Sequence, residues 1–132
     1  MPVNVEGALL AMGDLHAVMG DGEVCVCGAE IAGKVTVRVS VVNGRPLPLP
    51  FLVTESHAMA IYSAEGVEDA AHGATLNMRT FLIDQCKLAE YEAGMLLSLT
   101  GDLRICQIVD PNKTCRMEVA MDVIKKLGVV LP

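Results

Sequence analysis

An acidic, glycine-rich stretch, Gly13–Val24, lies between two apolar runs and limits how the N-terminal part of this chain can fold. The stretch contains three carboxylates, one imidazole and three glycines. The first 33 residues carry five acids and neither lysine nor arginine, so nothing nearby in the sequence neutralises the acids. The flanking runs, Gly7–Met12 and Val24–Cys27, are too apolar for a solvated surface. This context favours a site that holds a cation.

Ligand geometry makes the cation hypothesis specific. Asp14 and His16 are two residues apart, so in an extended segment their side chains point to the same face. A carboxylate with an imidazole suits Zn²⁺ and other first-row divalent metals, and nearby glycines allow the backbone to bring Asp21 or Glu23 toward the pair. In the alternative interpretation, Gly20–Gly22 is a hairpin turn with a solvated aspartate and His16 is a structural histidine. Spacing alone leaves both interpretations open.

Composition indicates one compact domain over residues 1–132, because 52% of the residues are hydrophobic. Only 3% are aromatic, which leaves little for nucleic-acid binding by base stacking. The net charge of −6 also disfavours binding to phosphate backbones or anionic membrane surfaces. We therefore expect neither nucleic acid nor membrane as a partner.

The cysteines bear on the cellular compartment. There are five, an odd number, and the chain has neither a secretory signal pattern nor an apolar run of about 18 residues. We expect a cytoplasmic protein. Cys25 and Cys27 could form a soft-metal or redox pair, but buried structural cysteines on a strand are the commoner case.

Patterns of period two predict strands over much of the N-terminal half. Val3–Met12 and Glu23–Ile31 read as strands, and Lys34–Val41 alternates polar and apolar residues throughout. A turn is expected at Asn43–Gly44. Two further short strands are expected in the segment that follows, at Phe51–Thr54 and His57–Ser63.

Further along the chain the apolar period changes to three and four. Val67–Cys86 therefore predicts an amphipathic helix, followed by a second helix that ends at Gly101. The predicted buried side of the second helix consists of Leu88, Tyr91, Met95, Leu96 and Leu99. A strand at Leu103–Val109 and a short helix at Val119–Leu127 complete the chain. We predict an α+β fold, mainly β, with an antiparallel sandwich-like sheet and a helical hairpin packed on one side.

Several sequence blocks together resemble the acetamidase/formamidase family. The blocks are Gly7–Leu10, Gly13–Ala17, Gly20–Val24, Gly101–Ile105 and Val109–Asp110. They occur in the family's order and at plausible separations, so the resemblance spans nearly the whole chain. Family members are roughly twice as long, and residues 1–132 resemble only their C-terminal half.

The resemblance implies hydrolysis of small linear amides to a carboxylate and ammonia. Such a reaction benefits from a divalent metal, which we expect to be Zn²⁺, and from a carboxylate that moves protons. We expect Asp14, His16 and Glu23 to bind the metal, with Glu23 alternatively acting as the general base. Glu30 is the second catalytic candidate, for whichever role Glu23 does not fill. Because these two glutamates are seven residues apart, both reach one pocket only if a bulge, for example at Gly28, shifts the strand parity.

A second hypothesis is a non-catalytic metal-binding subunit or binding module that needs a partner chain. The resemblance implies an active-site pocket to which both halves of the protein contribute residues. This chain would then carry only part of the active site. We expect a homo-oligomer or association with an N-terminal half, because a half-length chain exposes apolar surface.

Overall fold

The computed structural model describes residues 6–7, 9–41 and 47–131. In these ranges the elements, in chain order, are β1 (Phe51–Val53), β2 (His57–Ala64), α1 (Val67–Asp84), α2 (Glu90–Thr100), β3 (Gly101–Gln107), β4 (Lys113–Ala120) and α3 (Met121–Lys126). The four strands form one antiparallel sheet in the order β1-β2-β4-β3. The helices pack against this sheet, so the predicted α+β class is confirmed.

The core lies between α1 and one face of the sheet. Ala58 and Ala60 on β2 are fully buried and pair with Val119 and Met117 on β4, so these four side chains share the face that meets the helix. The two alanines leave room for α1 to approach closely. The helix buries five side chains there: Ala70, Ala74, Met78, Phe81 and Leu82. The predicted apolar stripe of this helix is thus confirmed.

The opposite face of the sheet is polar and charged. Arg116 and Glu118 alternate with the buried residues of β4, and Asp102 and Arg104 lie beside them on β3. Glu118 is buried although it is an acid. The segment 9–41 reaches this side of the sheet through Asp21, whose carboxylate contacts Arg116.

The predicted buried side of α2 is wrong in part. Tyr91, Met95 and Leu99 are exposed, whereas Ala93 and Leu97 are buried. The helix is apolar around most of its circumference, so its sequence pattern does not identify the face that meets the sheet. Leu88 and Leu96 pack against the edge of the core, as predicted.

The three N-terminal strands predicted from alternation do not form in the described residues. Segment 9–41 contains only two isolated bridges, His16 with Glu30 and Gly22 with Gln107. Positive φ angles at Glu23 (43°) and Val26 (70°) interrupt the second predicted strand. Alternation indicates which face of a strand would be buried, but a strand also needs a neighbouring strand for its backbone hydrogen bonds. Among the described residues, Lys34–Val41 has no such neighbour. The expected turn at Asn43–Gly44 and the start of the first strand lie outside those residues.

The C-terminal elements differ from the prediction in three ways. β3 runs from Gly101 to Gln107 rather than from Leu103 to Val109. β4 was not predicted, and the final helix begins at Met121 rather than Val119 because β4 continues to Ala120. Among the described helices, none combines the length and apolarity needed to cross a bilayer.

Candidate metal centre

Asp14, His16 and Glu30 come together at one end of the N-terminal segment. Oδ1 of Asp14 lies 3.4 Å from Nε2 of His16, and Oε1 of Glu30 lies 2.8 Å from the same nitrogen. One ligand atom from each of the three residues can be chosen so that all lie within 4.8 Å of one another. The structure therefore groups Glu30, rather than Glu23, with the predicted pair.

Backbone pairing explains why Glu30 joins His16. The N–H of Ala17 donates to the carbonyl of Ala29 at 2.8 Å, and the N–H of Ile31 donates to that of Leu15 at 3.0 Å. His16 and Glu30 are thus directly opposite in an antiparallel bridge, where side chains share a face. This pairing needs no change of strand parity between Glu23 and Glu30.

Asp14 reaches the site in a different way from that predicted. Its φ is 57°, so the residue has a left-handed rather than an extended backbone conformation. The i, i+2 rule for strands therefore does not describe this pair, although the two side chains do meet. Asp14 is 82% exposed and Glu30 is 60% exposed, whereas His16 is only 12% exposed.

Gly28 lies directly against the imidazole ring of His16. A Cβ added to Gly28 would lie 2.7 Å from both Cγ and Nδ1 of His16, which is closer than real contacts allow. Only glycine therefore lets the ring occupy this position. A bulge at Gly28 is therefore not needed to bring Glu30 to His16. The glycine instead allows the ring of His16 to lie against the backbone.

Nε2 of His16 is buried and makes no hydrogen bond, despite the short distance to Glu30. The distance would allow a hydrogen bond but the relative orientation of the two groups does not, since hydrogen bonds weaken steeply with angle. Ligand atoms that each lie about 2.0–2.2 Å from one metal ion are about 3–3.5 Å apart. The imidazole nitrogen and the two carboxylate oxygens, at 2.8 and 3.4 Å from it, have the donor types of a divalent-cation site, and the three atoms span 4.8 Å or less.

Glu23 lies outside this group of ligand atoms. Its N–H donates to the carbonyl of Gly20 at 3.2 Å, and its carbonyl accepts from Val26 at 3.0 Å, so it sits between two tight turns. Its side chain is half-buried. The assignment of Glu23 as ligand or base stays a prediction.

Arg116 on β4, which was not predicted as a site residue, binds Asp21 and so connects the acidic turn at Gly20–Gly22 to the sheet. Nη1 and Nη2 of Arg116 donate to the two carboxylate oxygens of Asp21 at 2.8 and 3.0 Å. The same guanidinium donates through Nε to Glu118. The Arg116 hydrogen bond holds the pKa of Asp21 below its usual range, and Asp21 in turn raises the pKa of Arg116. The alternation of polar residues along β4 was the signal that could have revealed Arg116.

The acetamidase/formamidase family profile matches residues 1–126. The chain belongs to this family. The crystal structure of an acetamidase from Bacillus halodurans has 56% sequence identity and a TM-score of 0.92, covering 97% of this chain but 43% of that chain. A predicted acetamidase/formamidase from Thermoanaerobacter tengcongensis has 41% identity and a TM-score of 0.91, covering 96% and 42%.

Curated members of the family match a shorter part of the chain. An acetamidase from Mycolicibacterium smegmatis is 50% identical over 44 residues, which is 33% of this chain and 11% of that protein. A putative formamidase from Schizosaccharomyces pombe is 49% identical over a segment of the same length. The chain therefore spans less than half the length of the family structures, and the matched segment is a tenth of the curated proteins.

Proposed function

We propose that this chain is the C-terminal part of an amidase that hydrolyses small linear amides, of the acetamide or formamide type, to a carboxylate and ammonia. Family membership supports the reaction class. The observation that carries the proposal within this chain is the group of Asp14, His16 and Glu30 around a buried, unsatisfied imidazole nitrogen. The five cysteines of the chain are free thiols, and this observation supports a location in the reducing cytoplasm.

Asp14, His16 and Glu30 would hold the metal, for which we propose Zn²⁺ because one imidazole and two carboxylates suit it. A bound divalent cation can polarise an amide carbonyl or lower the pKa of a water molecule. His16 would bind through Nε2, the nitrogen that the two carboxylates approach. The left-handed backbone of Asp14 and the open space above Gly28 set the directions of two of these side chains.

Proton transfer needs a carboxylate that is not already committed to the cation. Because Glu30 lies in the ligand group, Glu23 is the better candidate for the base that takes a proton from water and returns it to the leaving nitrogen. Arg116 supports this role indirectly, because it fastens Asp21, two residues before Glu23, to the sheet. The second oxygen of Glu30 is the alternative base.

The described residues enclose the site only in part. Two of the three ligands are largely exposed, and the neighbouring depression of about 410 Å³ is open and lined by apolar side chains. These include Met12, Leu15 and Val35. A substrate of only a few heavy atoms brings little binding energy, so it requires a closed pocket with oriented hydrogen-bond donors. We propose that an N-terminal half covers this surface.

Ammonia release from acetamide and formamide tests the proposal. It should be measured for the chain alone and after adding the N-terminal half of the Bacillus halodurans relative, with Zn²⁺ present in both. We expect release only from the mixture, and none when His16→Ala replaces the wild-type chain. Full activity from the isolated chain would contradict the two-half account, and an active His16→Ala mixture would contradict the assigned site.

A non-catalytic metal-binding subunit is the second candidate, and the exposure of Asp14 and Glu30 is the observation that favours it. Such a subunit would bind Zn²⁺ as tightly in the mixture as the proposed enzyme does. It would release no ammonia from any linear amide tested. Metal binding with no hydrolysis, in a mixture shown to be associated, would select this candidate.

A further inference from the structure

β3 forms one edge of the sheet, and its outer side is only partly covered. The N–H of Gly22 donates to the carbonyl of Cys106 at 3.1 Å, and the N–H of Ile108 donates to the carbonyl of Gly22 at 2.9 Å. These bonds cover the C-terminal end of the strand. Within the described ranges, no other segment pairs with the outer side of 101–105. Such an open edge presents backbone groups that can pair with another strand.

The charges on this edge are poorly matched within the chain. Asp102 lies directly opposite Glu118 on β4, and Arg104 lies directly opposite Arg116. Like charges at directly opposite positions destabilise a sheet. Nε of Arg104 does approach Glu118, but only to 3.9 Å. The carboxylate of Asp102 has no hydrogen-bond or ion-pair partner among residues 6–7, 9–41 and 47–131.

We propose that a second copy of this chain pairs with this edge, antiparallel and with Leu103 on the two-fold axis. In that register Asp102 lies opposite Arg104 of the partner subunit, and Arg104 lies opposite Asp102 of the partner subunit. Asp102 thus gains an opposite charge, and Arg104 gains one that lies closer than Glu118 at 3.9 Å. Since Gly22 already covers the end of the strand, the pairing comprises residues 101–105 in each copy. The interface is isologous, as two-fold symmetry requires.

On the side of the sheet that carries the helices, β3 presents apolar residues that are also partly exposed. Leu103 is 48% exposed and Ile105 is 40% exposed, on the side of the sheet that carries the helices. In the proposed register, Leu103 meets Leu103 of the partner subunit. Two five-residue strands bury less than the roughly 1,200 Å² typical of specific interfaces, so α2 must contribute. Its exposed Met95 and Leu99 lie on the helical side of the sheet and supply the additional apolar surface.

Charge reversal provides a test that depends on the register. Asp102→Arg places two arginines opposite each other twice, and Arg104→Asp does the same with two aspartates. We expect each variant alone to dimerise at least about tenfold more weakly than the wild type in sedimentation equilibrium. An equimolar mixture of the two should form a heterodimer, because every facing pair is then of opposite charge. The double variant Asp102→Arg/Arg104→Asp should again form a homodimer.

A crosslinking measurement tests the same register without relying on affinity. Directly opposite residues have Cα atoms about 4.5–5.5 Å apart, which suits a disulfide. Leu103→Cys, in a Cys25→Ser/Cys27→Ser background that removes two exposed thiols, should therefore give a disulfide-linked dimer on mild oxidation. Ile105→Cys in that background is the matched control, because in this register its equivalent in the partner lies four residues away along the strand, roughly 13 Å.

The outcomes separate this dimer from other occupants of the edge. A monomeric wild type, or two single variants that remain monomeric when mixed, would overturn the proposal and leave the edge to a different partner. Equal crosslinking at positions 103 and 105 would overturn the register. Circular dichroism of each variant must match the wild type, and a variant that fails is replaced by Asp102→Lys or Arg104→Glu, which carry the same charges.

Discussion

Nε2 of His16 lies 2.8 Å from Oε1 of Glu30, yet the two atoms are not joined by a hydrogen bond. A histidine placed here only for structure would be expected to direct a ring nitrogen at an acceptor, because a buried unsatisfied polar group costs about 1–3 kcal/mol. A cation between the two groups removes that cost without requiring the N–H to point at the carboxylate.

The first prediction is that Zn²⁺ binding depends on Asp14, His16 and Glu30. After dialysis against metal-free buffer, elemental analysis of the wild type should show bound zinc, and each Ala variant should lose it. Glu23→Ala is the control and should retain the metal, because its carboxylate lies outside the ligand group. Full zinc occupancy in the Glu30→Ala variant, or loss from Glu23→Ala, would move the third ligand back to Glu23.

The second prediction concerns the space occupied by the imidazole. Gly28→Ala places a methyl group 2.7 Å from the ring of His16, so the ring must rotate away from the two carboxylates. We expect zinc affinity, measured by calorimetric titration, to fall about 10–100-fold, as it does when groups that orient a ligand are changed. Gly20→Ala is a matched control, since a Cβ there has no neighbour within 4 Å. Equal affinity in the two variants would refute the role of Gly28.

The third prediction separates a base from a ligand. In the mixture with an N-terminal half, Glu23→Gln should keep its zinc and lose about 10²–10⁴ in turnover, the usual contribution of general acid–base catalysis. Ammonia release and elemental analysis of the same sample give both quantities. If the variant stays fully active, the base is Glu30 or a residue outside this chain.

Local pattern is sufficient to predict the elements whose apolar residues recur with the period of a helix or belong to a short strand-like run. The spacing of Ala70, Ala74 and Met78 predicts the buried stripe of α1, and the two short strands expected at Phe51–Thr54 and His57–Ser63 correspond to β1 and β2. β4 carried an equally clear signal, because Thr114, Arg116 and Glu118 alternate with buried residues. No element is predicted for 113–118, and the last helix is predicted to begin at Val119, which lies within β4.

Other features depended on contacts that are distant in sequence. Alternation in Lys34–Val41 predicted a strand, but a strand requires a backbone partner and the described residues provide none. The approach of Asp14 to His16 is as predicted, but it arises from a left-handed backbone at Asp14 and not from the extended backbone on which the spacing argument depends. The pairing of His16 with Glu30 follows from one bridge between segments fourteen residues apart, and Glu30 was named only as a second candidate.

The fourth prediction is a pH dependence of stability that arises from Asp21. Arg116 lowers the folded-state pKa of this carboxyl below 3.8, its unperturbed value. A lowered folded-state pKa contributes stability above about pH 4, and that contribution is lost as the pH falls through the folded-state value. The Asp21 side chain is 49% exposed, so solvent screening keeps the effect small.

Urea denaturation at pH 6 and pH 3 measures this contribution. The loss of unfolding free energy between the two pH values should be smaller in Asp21→Asn than in the wild type. Glu55→Gln removes one charge from the exposed turn between β1 and β2, and its loss should equal that of the wild type. An Asp21→Asn variant with the wild-type pH dependence would show that the Arg116 contact does not contribute.

The fifth prediction contrasts two helical glycines. On α2, a Cβ at Gly94 would have no neighbour within 4 Å, so Gly94→Ala should raise the free energy of unfolding by about 0.5–1 kcal/mol through the reduced entropy of the unfolded chain. On α1, a Cβ at Gly73 would overlap the ring of Tyr62, which packs directly on the helix backbone. Gly73→Ala should therefore destabilise the protein by about 1–3 kcal/mol, as overpacking usually does.

The cause of the difference can be isolated by removing the ring. In a Tyr62→Ala background, the methyl group at position 73 has no aromatic ring to displace, so Gly73→Ala should become neutral or stabilising, as at Gly94. Urea denaturation of the four proteins of this double-mutant cycle gives the coupling free energy between the two positions. A Gly73→Ala change that remains equally destabilising without Tyr62 would assign the glycine to a helix-backbone requirement instead, and the close approach of β2 to α1 would not depend on it.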